Sequence, residues 1–130
     1  MTTITTRSLE DSKTIWDSVA STLNWEFRGL EDCWRTGKPI AATYRSPEGL
    51  KYCLREVVWE LKPLTLVLSV ASEQAVRAAY LSISRAGAEP AFPPQTLARG
   101  EGEAKIVTVE AAAKDLDGNT IIFRCRIDED

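Results

Sequence analysis

Apolar positions change period along this chain, and the changes mark its elements. Residues 3–8 carry β-branched side chains in modest alternation, the pattern of a short strand. After Ser8 the period lengthens: Ile15, Trp16, Val19 and Leu23 fall at helical spacing. Glu10 and Asp11 lie near the start of that helix, where its dipole favours acids. A strand is predicted around Trp25–Phe27, and Gly29 and Gly37 interrupt the chain beyond it. Residues 40–46 and 50–57 read as a hairpin around Ser46-Pro47-Glu48-Gly49, because proline and glycine suit a tight reversal. Residues 57–63 end in Pro63 and read as a connector.

The second half opens on a nearly continuous apolar run, residues 64–71, which predicts a strand buried on part of both faces. Ser72 stands where a helix cap would, ahead of a stripe of Val76, Ala79, Tyr80 and Ile83, and Gly87 ends that helix. Residues 90–103 hold three prolines and two glycines and read as a partly mobile loop, with no helix following its glycines to make a phosphate-binding loop. Two further β-runs, "KIVTVEAAAK" and "TIIFRCRI", flank Asp115-Leu-Asp-Gly-Asn119, a second hairpin. The halves therefore read β–α–β–β–β and β–α–β–β. The second is one strand short unless a brief strand lies between Ala88 and Leu97. With Gly49 laid on Gly118 without a gap, Ala42 meets Ala111 and Ser46 meets Asp115; residues 42–55 fall on 112–125 only after a one-residue adjustment, and the letter identity is thin. The shared order of elements, more than the letters, argues for an internal repeat.

Composition narrows the chemistry. At 130 residues, 44% hydrophobic and 27% charged, the chain is one globular domain with room for a core. A net charge of −3 without adjacent basic residues argues against nucleic acid as partner. No apolar run is long enough to span a bilayer, no leader pattern is evident, and the three cysteines Cys33, Cys53 and Cys125 have no C-x-x-C spacing. These features point to a cytoplasmic protein with reduced thiols and no membrane partner. Cys53 and Cys125 lie in apolar strand runs and are expected to be packing residues. Histidine is absent, which removes Ser-His-Asp and Cys-His nucleophile systems and every imidazole metal site.

Two segments carry a resemblance. "ISRAGAEPAFPP" (83–94) and "AAAKDLDGNTIIF" (111–123) are similar to the helix end, the loop and the Asp-x-Asp-Gly-Asn turn of the vicinal-oxygen-chelate superfamily, which includes glyoxalase I, bleomycin-resistance proteins and extradiol dioxygenases. Residues 64–127 carry most of the likeness; residues 1–60 fit by element order and by "LEDSKTIWDSVASTLNW". The resemblance implies an α+β domain of two βαβββ modules, 1–60 and 64–127, forming an incompletely closed, U-shaped sheet around a cleft. It also implies a homodimer.

The superfamily's enzymes hold a metal with His, Glu or Gln on each module's first strand and a Glu after the second turn. Here the matching positions are Ile4 and Thr6, Leu66 and Leu68, with Ile122 and Cys53 in the closing strands. Aliphatic and threonine side chains do not hold a catalytic divalent ion, so no metal and no cofactor is expected. Glu56, Glu60 and Glu110 are expected to be exposed carboxylates. What remains is a lined cleft. Four tryptophans are many for this length. Trp16 sits on the helix stripe and reads as core, while Trp25, Trp34 and Trp59, with Tyr44, Tyr52, Arg45, Arg55 and Phe92, are the candidate ligand contacts. The same residues also suit packing or subunit contacts. Three functions stand open: a non-enzymatic binder of the bleomycin-resistance type that sequesters a hydrophobic or aromatic compound, a metal-free isomerase, cyclase or lyase using Glu56, Glu110, Tyr44 or Tyr52, and a protein-interaction module. A different α+β fold, without the repeat, is the remaining alternative.

Overall fold

The computed structural model describes residues 1–100, 102 and 105–127. Its elements are β1 (Thr2–Thr6), α1 (Leu9–Leu23), β2 (Glu26–Asp32), β3 (Pro39–Arg45) and β4 (Lys51–Glu56), followed by β5 (Thr65–Ser69), α2 (Glu73–Arg85), β6 (Glu89–Arg99), β7 (Ile106–Lys114) and β8 (Thr120–Ile127). Two four-stranded sheets result, ordered β1-β4-β3-β2 and β5-β8-β7-β6, so the second half repeats the first in full. The α+β architecture of two βαβββ modules in an unclosed, U-shaped sheet is the expected one.

Each helix forms for the same local reasons. Ser8 and Ser72 cap α1 and α2, their hydroxyls accepting from Asp11 N and Ala75 N at 3.3 and 3.1 Å. On α1 the buried face is Leu9, Ser12, Ile15, Trp16, Val19 and Ala20; on α2 it is Val76, Ala79 and Ile83. Asn24 ends α1 in the left-handed region at φ 58°, and Gly87 follows α2 at φ 111°. In the sheets, Ile4, Ala42, Tyr44, Tyr52 and Leu54 join α1 in the core, and Leu68, Ala111, Ala113, Ile121 and Phe123 join α2. One continuous core results. Alternation sends the neighbouring strand residues to the opposite, helix-free face.

The missing strand of the second half is β6, all along the segment read as a loop. Prolines 90, 93 and 94 are tolerated there because β6 is the outer strand, and register shifts between Pro90 and Phe92 and between Phe92 and Gln95 absorb them. Glu101, Glu103 and Ala104, the rest of that predicted loop, lie outside the described residues. Strand β5 also differs from expectation: it pairs only with β8, Leu68 alone is fully buried, and Val67 is exposed. An edge strand has one covered face at most.

The two hairpins superpose without a gap. Ala42 pairs with Leu54 as Ala111 pairs with Phe123, and Ser46 N bonds Leu50 O as Asp115 N bonds Asn119 O. The one-residue adjustment is therefore wrong; strand pairing, not letter identity, fixes the register. Asp115 does more than turn the chain. It is buried, and it accepts from Trp16 Nε1 at 3.1 Å, Asn119 Nδ2 at 2.8 Å and the backbone N–H groups of Asp117 and Asn119 at 2.9 Å. Asp115→Ala leaves these donors in a dry site and is expected to cost about 2–4 kcal/mol in urea denaturation. Ser46→Ala, at the matching turn, removes only the acceptor for Leu50 N and is expected to cost about 1 kcal/mol.

Candidate functional site

The modules meet with α1 against α2 and with each hairpin turn set beside the other module's first strand and helix. Repeated architecture makes these two junctions equivalent, but their side chains differ. At one, the β7–β8 turn is sealed to module one. Asp117 accepts from Arg7 N and from the Ser12 hydroxyl, both at 2.9 Å, and Asn119 donates to Thr5 O at 3.2 Å and accepts from Leu64 N at 3.0 Å. At the other junction, Ser46, Glu48 and Leu50 stand where Asp115, Asp117 and Asn119 stand, and Val76 takes the place of Ser12. Of the groups that seal the first junction, the Ser12 hydroxyl and the Asn119 side-chain amide have no counterpart, and a cavity of about 560 Å³ opens.

Its walls come from the end of α1 (Leu23, Asn24), the β3–β4 turn (Glu48, Leu50) and the end of β5 through the start of α2 (Leu68, Ala75). Trp25 and Tyr52 line it as a stacked pair, ring centroids 4.1 Å apart and planes 8° from parallel. Burial, and then the charge of Glu48, holds the Tyr52 phenol above the ordinary tyrosine value, so Tyr52 stays protonated.

The structure thus brings two of the predicted contact residues, Trp25 and Tyr52, together in the cavity and scatters the rest. Tyr44 is buried on the helix side and donates to Asp17 at 2.7 Å. Trp34 is exposed in the β2–β3 loop with Arg35 over its ring, and Trp59 is exposed in the connector, its carbonyl bonded by Arg7. Arg45, Arg55 and Phe92 fall on the helix-free face, where Arg55 pairs with Glu31 at 2.5 Å and Phe92 sits opposite Ala112. Glu48 and Leu50 were not singled out from the sequence. The ungapped alignment of the turns was the available signal, since it lays Glu48 on Asp117.

The helix-free face is where a metal of the implied kind would have to sit. Ile4, Thr6 and Leu68 are buried against the helices and Leu66 packs against the same core, so the first-strand register is one residue off. The positions that reach the open face are Thr3 and Thr5, Val67 and Ser69, with Cys53 and Ile122 beside them. That donor set does not fit a divalent ion. Among the described residues no three His, Cys, Asp or Glu side chains cluster.

The carboxylate on this face, Glu110, is buried rather than exposed. It accepts from Thr108 at 2.6 Å and pairs with Arg124 at 3.0 Å and Arg99 at 3.3 Å. Burial alone would raise its pKa; the Thr108 hydroxyl and the two guanidiniums outweigh that and hold it below the ordinary carboxylate value. Glu56 accepts from Leu9 N at 3.0 Å and is half-buried. Tyr44 is pushed far above the ordinary tyrosine value by burial and by Asp17. Both Glu110 and Tyr44 are held in their resting protonation states, which is the opposite of what proton transfer near neutrality needs.

Two βαβββ modules around an open sheet, with helices packed on one side, define the vicinal-oxygen-chelate fold. Solved structures with this fold are similar to the chain along nearly its whole length. One is a glyoxalase/bleomycin resistance protein from Albidiferax ferrireducens T118, with a TM-score of 0.70, 20% identity, and coverage of 97% of this chain and 96% of that one. Another is a glyoxalase-related enzyme from Fulvimarina pelagi, with a TM-score of 0.68, 17% identity, and coverage of 96% and 86%. TioX from Micromonospora sp. ML1 has a TM-score of 0.63, 14% identity, and coverage of 96% and 95%. No family model matches the chain, and no curated protein matches it. At these identities the likeness is one of fold. Among the described residues no helix is long and apolar enough to cross a membrane.

Because the folded pKa of Glu110 is depressed, its contribution to stability is present above the ordinary value of 4.5 and is lost as pH falls through the lower folded value. Glu110→Gln is therefore expected to be less stable than the parent by about 1–3 kcal/mol at pH 7. The gap is expected to close toward pH 3, and urea denaturation at both pH values checks this.

Proposed function

We propose that the protein is a non-enzymatic binder that sequesters a hydrophobic or aromatic small molecule, in the manner of a bleomycin-resistance protein, and that it serves antibiotic resistance in the cytoplasm. The observation that carries this reading is the cavity at the unsealed junction, whose size suits a drug-sized compound and whose lining includes the stacked Trp25 and Tyr52. An apolar ligand there removes Leu50, which is exposed, from water as well as its own surface. Binding is favoured over catalysis because the candidate acid–base groups Glu110, Tyr44 and Tyr52 are held away from neutrality. Trp34, Arg45, Arg55, Trp59 and Phe92 stay in the proposal as contacts of a larger ligand or of a second subunit, whereas Tyr44 is buried in the core. Exposed Phe27, Leu30 and Trp34, on and beyond the outer strand β2, favour such a homodimer.

Titration with a panel of aromatic natural products is expected to quench tryptophan fluorescence with a Kd of about 10 µM or tighter, as a buried drug-sized ligand requires. Ala75→Phe, which fills the cavity from α2, is expected to abolish the quench while leaving thermal unfolding unchanged. A panel without any response, or a quench that survives Ala75→Phe, would remove this site. Native mass spectrometry at micromolar concentration is expected to give twice the chain mass of 14.4 kDa.

A further inference from the structure

The charge of the ligand follows from the difference between the two junctions, and this inference rests on the binding reading above. At the sealed junction both oxygens of Asp117 are occupied, one by Arg7 N and one by the Ser12 hydroxyl. Glu48 holds the equivalent place at the open junction. Opposite it, Ala71 corresponds to Arg7 and Val76 to Ser12, so the hydroxyl partner has become a methyl-bearing side chain. Glu48 forms no hydrogen bond and no ion pair among the described residues.

Three further features give the cavity a negative potential. Among the described residues that line it, Glu48 is the only one that carries a charge. The C-terminal end of α1 forms one wall through Thr22, Leu23 and Asn24, and its last turn holds no basic residue to answer the helix dipole. The N-terminal end of α2, on the facing wall, is already answered by the Ser72 hydroxyl and by Glu73. A carboxylate without an ion-pair partner, beside a helix C-terminus that carries no basic residue, favours a cation.

We propose that this junction binds a compound that joins a flat apolar body to a protonated amine, the amine pairing with Glu48 and the body packing on Leu50, Leu68 and the Trp25–Tyr52 stack. The arrangement selects by charge. An anionic analogue with the same rings would meet both Glu48 and the α1 carbonyls.

Three tricyclic probes test it by calorimetric titration at pH 7.5: 9-aminoacridine, which is a cation, acridone, which is neutral, and acridone-10-acetate, which is an anion. The cation is expected to bind about threefold tighter than acridone, as pairing with the exposed Glu48 carboxylate allows, and to weaken with added salt. Acridone-10-acetate is expected to bind weakest. In Glu48→Gln the ratio of 9-aminoacridine to acridone affinity is expected to fall to about one. Equal affinities for the cation and acridone, both lost in Ala75→Phe, would overturn the charge inference and leave the binding reading standing. Failure of all three probes to bind would overturn both.

Discussion

Asp115 gathers the indole of Trp16, the amide of Asn119 and two backbone N–H groups in a volume closed to water. That one carboxylate links three levels of the structure. It shapes the β7–β8 turn, it fixes the orientation of the largest side chain on α1, and through Trp16 it joins the second module to the first. Without it the helix could still cap on Ser8 and bury Ile15 and Val19, but its angle to the second sheet would be set by packing alone. Asp117 and Asn119 extend the same network to Arg7, Ser12 and Thr5, so a single hairpin secures β1 and the start of α1 together.

A repeated fold offers two such junctions, and only one is closed. Sealing both in this way would need a second set of buried acids and donors. Replacing Asp115, Asp117 and Asn119 by Ser46, Glu48 and Leu50 exchanges a rigid joint for a cavity. A sealed joint and an open cavity thereby occupy two places that the architecture makes equivalent. The stacked Trp25 and Tyr52 supply packing at the open end that hydrogen bonds supply at the closed one.

The helix-free face has a different character. Arg55 with Glu31, and Arg124 and Arg99 with Glu110, pair across strands over positions that carry threonine, valine, isoleucine and cysteine. These are charges in mutual balance, and the buried Glu110 is ionised because its neighbours outweigh its desolvation. The fold shared with proteins of the glyoxalase and bleomycin-resistance type persists at 20% identity and below because strand pairing, helix caps and core volume define it. Open-face chemistry is free to change.

The period of apolar residues by itself determined both helices, and turn residues such as Pro47, Gly49 and Gly118 marked both hairpins, because each rests on contacts between residues near in sequence; the order of the elements then suggested the repeat. The lack of histidine likewise bounded the chemistry before any coordinates. Strand β6 was not legible, since three prolines are incompatible with an inner strand, and only the assembled sheet shows that this strand lies outermost. The side to which β1 and β5 turn their residues was not legible either. A period of two gives two faces, and which one meets the helix is decided by the packing of α1 and α2. Glu110 read as an exposed acid because Thr108 lies near it in sequence but Arg99 and Arg124 reach it only across strands. The same limit hid the cavity: Leu23, Glu48, Leu68 and Ala75 belong to four separate segments, and no local pattern joins them until one junction seals and its counterpart stays open.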